Sequence, residues 1–126
     1  MNLNQITLPS LDVERSIAFY QKMGMQLIVR SLPQYARFLC PDGDATFSVH
    51  LVDELPHVNT AWIYFECNDL DATVWQLKTK GITIDEQPED KPWLWREARI
   101  KDPDNNQIIL YYAGPNRMDP PWKVKG

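Results

Sequence analysis

Residues 12–24, DVERSIAFYQKMG, return 57 positions later as residues 69–81, DLDATVWQLKTKG. Each copy opens on an aspartate, a residue that helix N-caps prefer, and closes on a glycine at a C′ position. Between those limits Val13, Ile17 and Tyr20 match Leu70, Val74 and Leu77. The shared i, i+4, i+7 stripe gives each segment one apolar helical face. The repeat predicts a βαβββ unit written twice, with two half-sites that face each other across one cleft.

Working outward, the first copy predicts strands at Leu3 to Leu8, Met25 to Arg30, Tyr35 to Cys40 and Thr46 to Leu51, around a helix at Val13 to Met23. The second predicts strands at Ala61 to Cys67, Ile82 to Ile84, Trp95 to Lys101 and Gln107 to Tyr112, around a helix at Leu70 to Lys80. Turn formers precede the last strand of each copy: Pro41-Asp42-Gly43-Asp44 in one and Asp102-Pro103-Asp104-Asn105-Asn106 in the other. Val52 to Asn59, with a proline and several polar residues, reads as the connection. The expected organisation is a single domain: module one about 1–52, linker about 53–59, module two about 60–113 and a tail 114–126. Three prolines in that tail, Pro115, Pro120 and Pro121, predict an extended chain. The acidic run Asp85 to Asp90 reads as a solvated loop.

Composition narrows the function classes. At 126 residues the chain is long enough to bury a core without disulfides or metal. A net charge of −4 with both signs interspersed, and no stripe of Lys or Arg, argues against nucleic acid. The opening MNLNQITLPS lacks a basic start followed by an apolar run, and no uncharged stretch approaches a membrane span. The expectation is a cytoplasmic protein without a membrane partner. Cys40 and Cys67, one per module and far apart, read as reduced, buried thiols.

The two modules, with LPSLDVERSIAFY opening the first and WREARIKDPDNNQIILYY ending the second, resemble the vicinal oxygen chelate superfamily. That group includes glyoxalases, extradiol dioxygenases, fosfomycin-resistance enzymes and bleomycin-resistance proteins. The resemblance covers about residues 3 to 113. It implies an α+β fold of two tandem βαβββ modules, a curved mixed sheet around a cleft with helices on the outer face. Metal-dependent members take ligands, as the resemblance implies, from the first and last strand of each module. Here those positions fall on Gln5, Ser48, Trp62 and Ile109. Only Gln5 offers a plausible donor, whereas a divalent ion needs several anionic or imidazole groups converging on one point. The expectation is therefore no metal and no other cofactor.

Strand alternation then assigns the side chains that take the place of an ion. Ile63, Phe65 and Cys67 turn toward the helices, leaving Trp62, Tyr64 and Glu66 on the cleft face. Phe47, Val49 and Leu51 turn inward, with Ser48 and His50 opposite. Ala98 and Ile100 turn inward, which sends Trp95, Glu97 and Arg99 to the cleft, joined by Gln107, Ile109 and Tyr111 of the last strand. Aromatic faces supply stacking area and attract cations, and Glu66 and Glu97 supply charge-assisted contacts.

The resulting expectation is a binding protein that sequesters a planar, aromatic, cationic small molecule, as the bleomycin-resistance branch suggests. Its candidate ligand-binding set is Gln5, Ser48, His50, Trp62, Tyr64, Glu66, Trp95, Glu97, Arg99, Ile109 and Tyr111. Three readings compete. The five tryptophans, among them Trp75 on a helix and Trp122 in the tail, fill the core, while Glu66 and Glu97 pair with Arg99 or Arg96. A displaced metal held by His50, Glu66 and Glu97 supports a lyase, isomerase or dioxygenase. An accessory domain recognises a partner protein. His57, in the linker, reads as solvated. The resemblance also implies a homodimer with two equivalent sites, and C2 symmetry is the common default.

Overall fold

A computed structural model describes residues 1–58 and 61–125 of the chain. The end of the predicted linker at Asn59, the predicted start of module two at residue 60 and the last residue of the tail, Gly126, lie outside the described residues. The elements run β1 (Gln5–Ser10), α1 (Val13–Lys22), β2 (Gln26–Ser31), β3 (Tyr35–Leu39), β4 (Thr46–Leu51), β5 (Trp62–Glu66), α2 (Leu70–Thr79), β6 (Glu86–Asp90), β7 (Arg96–Lys101) and β8 (Gln107–Tyr112). This is the α+β arrangement of two βαβββ modules that the repeat predicts. The strands form two four-stranded mixed sheets, β1-β4-β3-β2 and β5-β8-β7-β6, in which β1 with β4 and β5 with β8 are the parallel pairs.

Both helices begin and end by the same chemistry. The side chain of Asp12 accepts from the Arg15 amide at 3.2 Å and that of Asp69 from the Ala72 amide at 3.1 Å, each satisfying one of the amides a helix start leaves open. At the far ends Gly24 and Gly81 have φ of 95° and 89°. The following amides of Met25 and Ile82 reach back to the carbonyls of Tyr20 and Leu77, both at 3.1 Å. This closes each helix in a Schellman motif, which glycine serves because it has no Cβ to clash in the left-handed region.

The chain divides into two compact units, one of Met1–Thr60 with Asp102–Asn106 and one of Ala61–Lys101 with Gln107–Gly126. In the first, α1 buries Val13, Ser16, Ile17 and Tyr20. The Tyr20 ring meets Phe47 edge-on at 4.6 Å and lies 5.6 Å from Phe38, while Phe38 and Phe47 stack at 4.9 Å. Such aromatic pairs contribute about 0.5–1.5 kcal/mol each beyond their buried area. The turn 102–106 closes this core. Asp104 accepts from the Leu11 amide and the Arg15 guanidinium, Asn106 donates to the Pro9 carbonyl, and Asp102 accepts from the Tyr20 hydroxyl. In the second unit α2 buries Leu70, Val74 and Leu77 against β6, β7 and β8.

Several expectations need correction. The first strand lies two residues later than the predicted Leu3 to Leu8. Ile82 to Ile84 is not a strand, although Ile82 is buried as part of the core. The strand lies instead in the acidic run taken for a loop, as β6. It is an edge strand, where charged side chains and proline are tolerated because one side of the backbone needs no partner. Its register shifts between Glu86 and Glu89, around Pro88, as that of β2 shifts between Leu27 and Val29. β7 begins at Arg96 rather than Trp95. The tail is not wholly extended: Gly114–Asn116 forms one 3₁₀ turn with Pro115 in its first turn, a place where the missing amide costs nothing. Cys40 and Cys67 form no disulfide and are half-buried rather than buried. No helix among the described residues is long and apolar enough to cross a membrane.

Candidate functional site

On the sheet of the second unit, the face turned away from α2 carries an aromatic cluster. β8 places Tyr111 there, next to Ile109 and Ala113, and half-buried Trp95 packs onto these three. The Trp95 and Tyr111 rings stack at 4.8 Å with an interplanar angle of 22°. Tyr64, across from Ile109 on the parallel neighbour β5, stands edge-on to both, at 6.0 Å from Trp95 and 5.5 Å from Tyr111. A stacked pair with a third ring at right angles is the arrangement that ring quadrupoles favour.

Two carboxylates flank the cluster with different duties. Glu66 Oε2 accepts from the amides of Ala113 and Gly114 at 2.8 and 3.0 Å, and Oε1 lies 3.7 Å from the Arg117 guanidinium. Its hydrogen bonds are spent on holding the 3₁₀ turn, whose Asn116 carbonyl receives the Trp95 indole N–H at 3.2 Å. Glu97 is only 3% exposed and accepts from the indole N–H of Trp93 at 2.6 Å. Neither pairs with Arg96 or Arg99. Arg96 binds Asp71 and Asp90, which holds its pKa above the usual arginine value.

Trp93 sits in the β6–β7 turn, closed by the Lys91 amide on the Trp95 carbonyl at 2.7 Å. The adjoining Leu94 has φ of 67°, a left-handed conformation that a leucine adopts only at a cost. Burial, with Glu97 adding to it and Arg99 opposing, raises the Tyr64 pKa. Burial, together with Glu66 and against Arg117, raises that of Tyr111. Both phenols therefore stay protonated well beyond neutral pH.

Trp62 is 54% exposed, and its ring is covered by the Arg99 guanidinium at 4.8 Å. Arg99 Nε lies 3.2 Å from Glu86, within ion-pair distance but outside hydrogen-bond alignment. Trp75 and Trp122 are exposed and away from the cluster's contacts, so the tryptophans do not simply fill the core.

In the first unit, Ser48 is completely buried. Its hydroxyl receives the Gln5 amide N–H and lies 2.8 Å from the Thr7 hydroxyl. The Gln5 carbonyl oxygen accepts from the Thr46 hydroxyl. His50 is exposed and stands across from Tyr35, a residue that the sequence reading passed over together with Arg37. Alternation in YARFL, with Ala36 and Phe38 buried, was the signal that could have found both. Trp93 was missed because it lies outside the strands, where alternation gives no orientation.

The four positions that the resemblance implies for metal ligands carry side chains that do not fit a metal. Gln5 has its oxygen engaged, Ser48 is buried within a hydroxyl network, Trp62 offers a ring under a guanidinium, and fully buried Ile109 has no donor. No three His, Cys, Asp or Glu side chains gather as a possible ligand group among the described residues.

A fold of two βαβββ modules in sequence defines the class. Residues 2–110 match the family model of the Glyoxalase/Bleomycin resistance protein/Dioxygenase superfamily, and the chain belongs to that family. A relative at 26% identity over 127 residues, covering 88% of this chain and 98% of its own, is an uncharacterized protein, YraH, of Bacillus subtilis (strain 168). Among solved structures, a glyoxalase/bleomycin resistance protein/dioxygenase from Nocardioides is similar with a TM-score of 0.79 at 21% identity, covering 99% of this chain and 90% of that one. The lactoylglutathione lyase of Agrobacterium tumefaciens is similar at 0.76 and 15% identity, over 94% and 96% of the two chains. A bleomycin resistance determinant encoded on the transposon Tn5 is similar at 0.73 and 22% identity, over 89% and 98%. At these identities the solved structures establish the fold alone.

Proposed function

We propose that this protein binds a planar aromatic, cationic small molecule on the face of its second sheet turned away from α2, without a metal and without transforming it. The observation that carries the reading is the stack of Trp95 on Tyr111, with Tyr64 edge-on, beside the buried carboxylate of Glu97. Rings held in place by their neighbours offer area at small entropic cost, and a cation near them gains from the ring quadrupoles and the carboxylate together. The unsuitable donors at the superfamily's metal positions support metal independence. Similarity to a bleomycin resistance determinant agrees in kind with sequestration.

The protomer is proposed to work as a C2 homodimer with two equivalent sites.

Titration of the tryptophan fluorescence with bleomycin-like and other planar cationic compounds tests the reading. The expected result is saturable quenching or a spectral shift that chelator treatment leaves unchanged. No response to any of them, or a response that chelation removes, overturns it. Light scattering on the eluting protein tests the dimer, and a monomer at micromolar concentration rejects it.

A further inference from the structure

The two sheets differ sharply in charge. The second carries Glu66, Glu86, Glu89, Asp90 and Glu97 on its strands, whereas the four strands of the first contain no acidic residue. In a chain with 17 acidic residues, that leaves one sheet face with a guanidinium and nothing of opposite sign beside it. Arg37 is half-buried there, directly across from Ser48. Its Nε–H donates to the Tyr35 hydroxyl at 2.9 Å and its guanidinium lies 5.5 Å from the Tyr35 ring. No carboxylate pairs with it among the described residues.

Side-chain hydrogen bonds link the residues of this face, the Thr7 and Ser48 hydroxyls among them at 2.8 Å. Thr46 donates to the Gln5 oxygen, and the Gln5 N–H donates to the Ser48 oxygen. Arg37 in turn donates to Tyr35. Burial acts to raise the Tyr35 pKa, but the influence of Ser48 and of Arg37, by its hydrogen bond and its charge, outweighs it and lowers the value. What the network leaves available is donor capacity: the terminal N–H groups of Arg37, which is always charged, and the Tyr35 O–H. His50 stands opposite Tyr35 on the same face.

We propose that this face of the first sheet is an oxyanion site, with Arg37 supplying charge and Tyr35 a directed hydroxyl, for the carboxylate or phosphate group of a small molecule. The superfamily's metal-bearing face in this module is thus turned to a ligand of the opposite sign. The site draws on residues of the first sheet alone and is tested without a cationic ligand.

Calorimetric and NMR titrations with inorganic phosphate and with benzoate, at constant ionic strength set by chloride, separate the two chemistries. Saturable binding of either supports the site, phosphate alone marking a tetrahedral anion and benzoate alone a carboxylate. Arg37→Gln should weaken that binding about ten-fold or more, the loss of one charge-assisted contact, with an unchanged circular dichroism spectrum. Arg30→Gln removes an exposed cation that pairs with Glu14 from the same sheet and should leave binding as it is. No saturable binding of either anion, equal binding by Arg37→Gln, or an equal loss in Arg30→Gln overturns the proposal; the last result would indicate diffuse attraction to net charge.

Discussion

Tyr20 and Asp102 stand 82 residues apart in the chain, yet the phenol of one donates to the carboxylate of the other at 2.6 Å, with both groups buried. The same carboxylate accepts the amides of Asp104 and Asn106 and the side chain of Asn106. A helix of the first module is thereby fastened to a turn from the second copy of the repeat.

Tyr20→Phe should cost about 1.5–3 kcal/mol, the range for a hydrogen bond to a charged group, measured by urea unfolding. Its effect on pH dependence has a definite sign. Burial first, and Asp102 second, raise the Tyr20 pKa far above the ordinary value of 10.0, so the folded state holds this proton more tightly than the unfolded state. The stabilisation is fully present below pH about 10 and declines above it, by up to about 1.4 kcal/mol per pH unit. Tyr20→Phe should flatten that alkaline decline by about one proton's worth. An identical slope in both proteins would contradict the assignment.

Gly24→Ala and Gly81→Ala should each lower stability by about 1 kcal/mol, and by similar amounts. An added Cβ at either position meets nothing within 4 Å, so the whole cost is that of a left-handed backbone. Thermal unfolding of the two variants checks the equivalence of the two helix ends. A much larger loss at one of them would reveal a difference between the copies.

Leu94→Asn should stabilise the protein by about 0.5–1 kcal/mol, because asparagine tolerates the left-handed region better than leucine and the half-exposed leucine gives up little apolar burial. Denaturant midpoints decide the sign. Destabilisation would mean that the leucine side chain makes a contribution larger than the strain.

Glu97→Gln keeps an oxygen for the Trp93 indole but removes the charge. Under the proposed function it should weaken binding of a planar cation about ten-fold while leaving a neutral analogue of the same shape unaffected. Fluorescence titration of the matched pair measures this. Equal weakening for both compounds would assign Glu97 to packing rather than to charge recognition.

The helix pair and most strands were legible in the sequence because they bury one face and carry a period: Val13, Ile17 and Tyr20, or Ile63 against Trp62 and Tyr64. β6 was not, since EQPED has no buried stripe and its role comes from pairing at an edge, which depends on the neighbour β7 rather than on its own residues. On the candidate site, alternation placed Tyr64, Trp95, Glu97 and Tyr111 on one face. It could not reveal that Glu66 is consumed by the amides of Ala113 and Gly114, or that the side chain of Trp93 reaches Glu97. Those are contacts between segments whose angle of approach no local pattern encodes. Arg37 was legible in YARFL, where alternation with buried Ala36 and Phe38 sends it to the opposite face.

The turn 102–106 has a further consequence for how the chain is made. Synthesis runs from the first module to the second, so the Tyr20 hydroxyl, the Leu11 amide and the Arg15 guanidinium emerge well before Asp102 and Asp104 exist to receive them. On the ribosome the first unit can assemble its sheet and helix but cannot complete its polar interior until the final hairpin has been translated. The two halves of the repeat are alike in sequence, but only the earlier one must wait for the later.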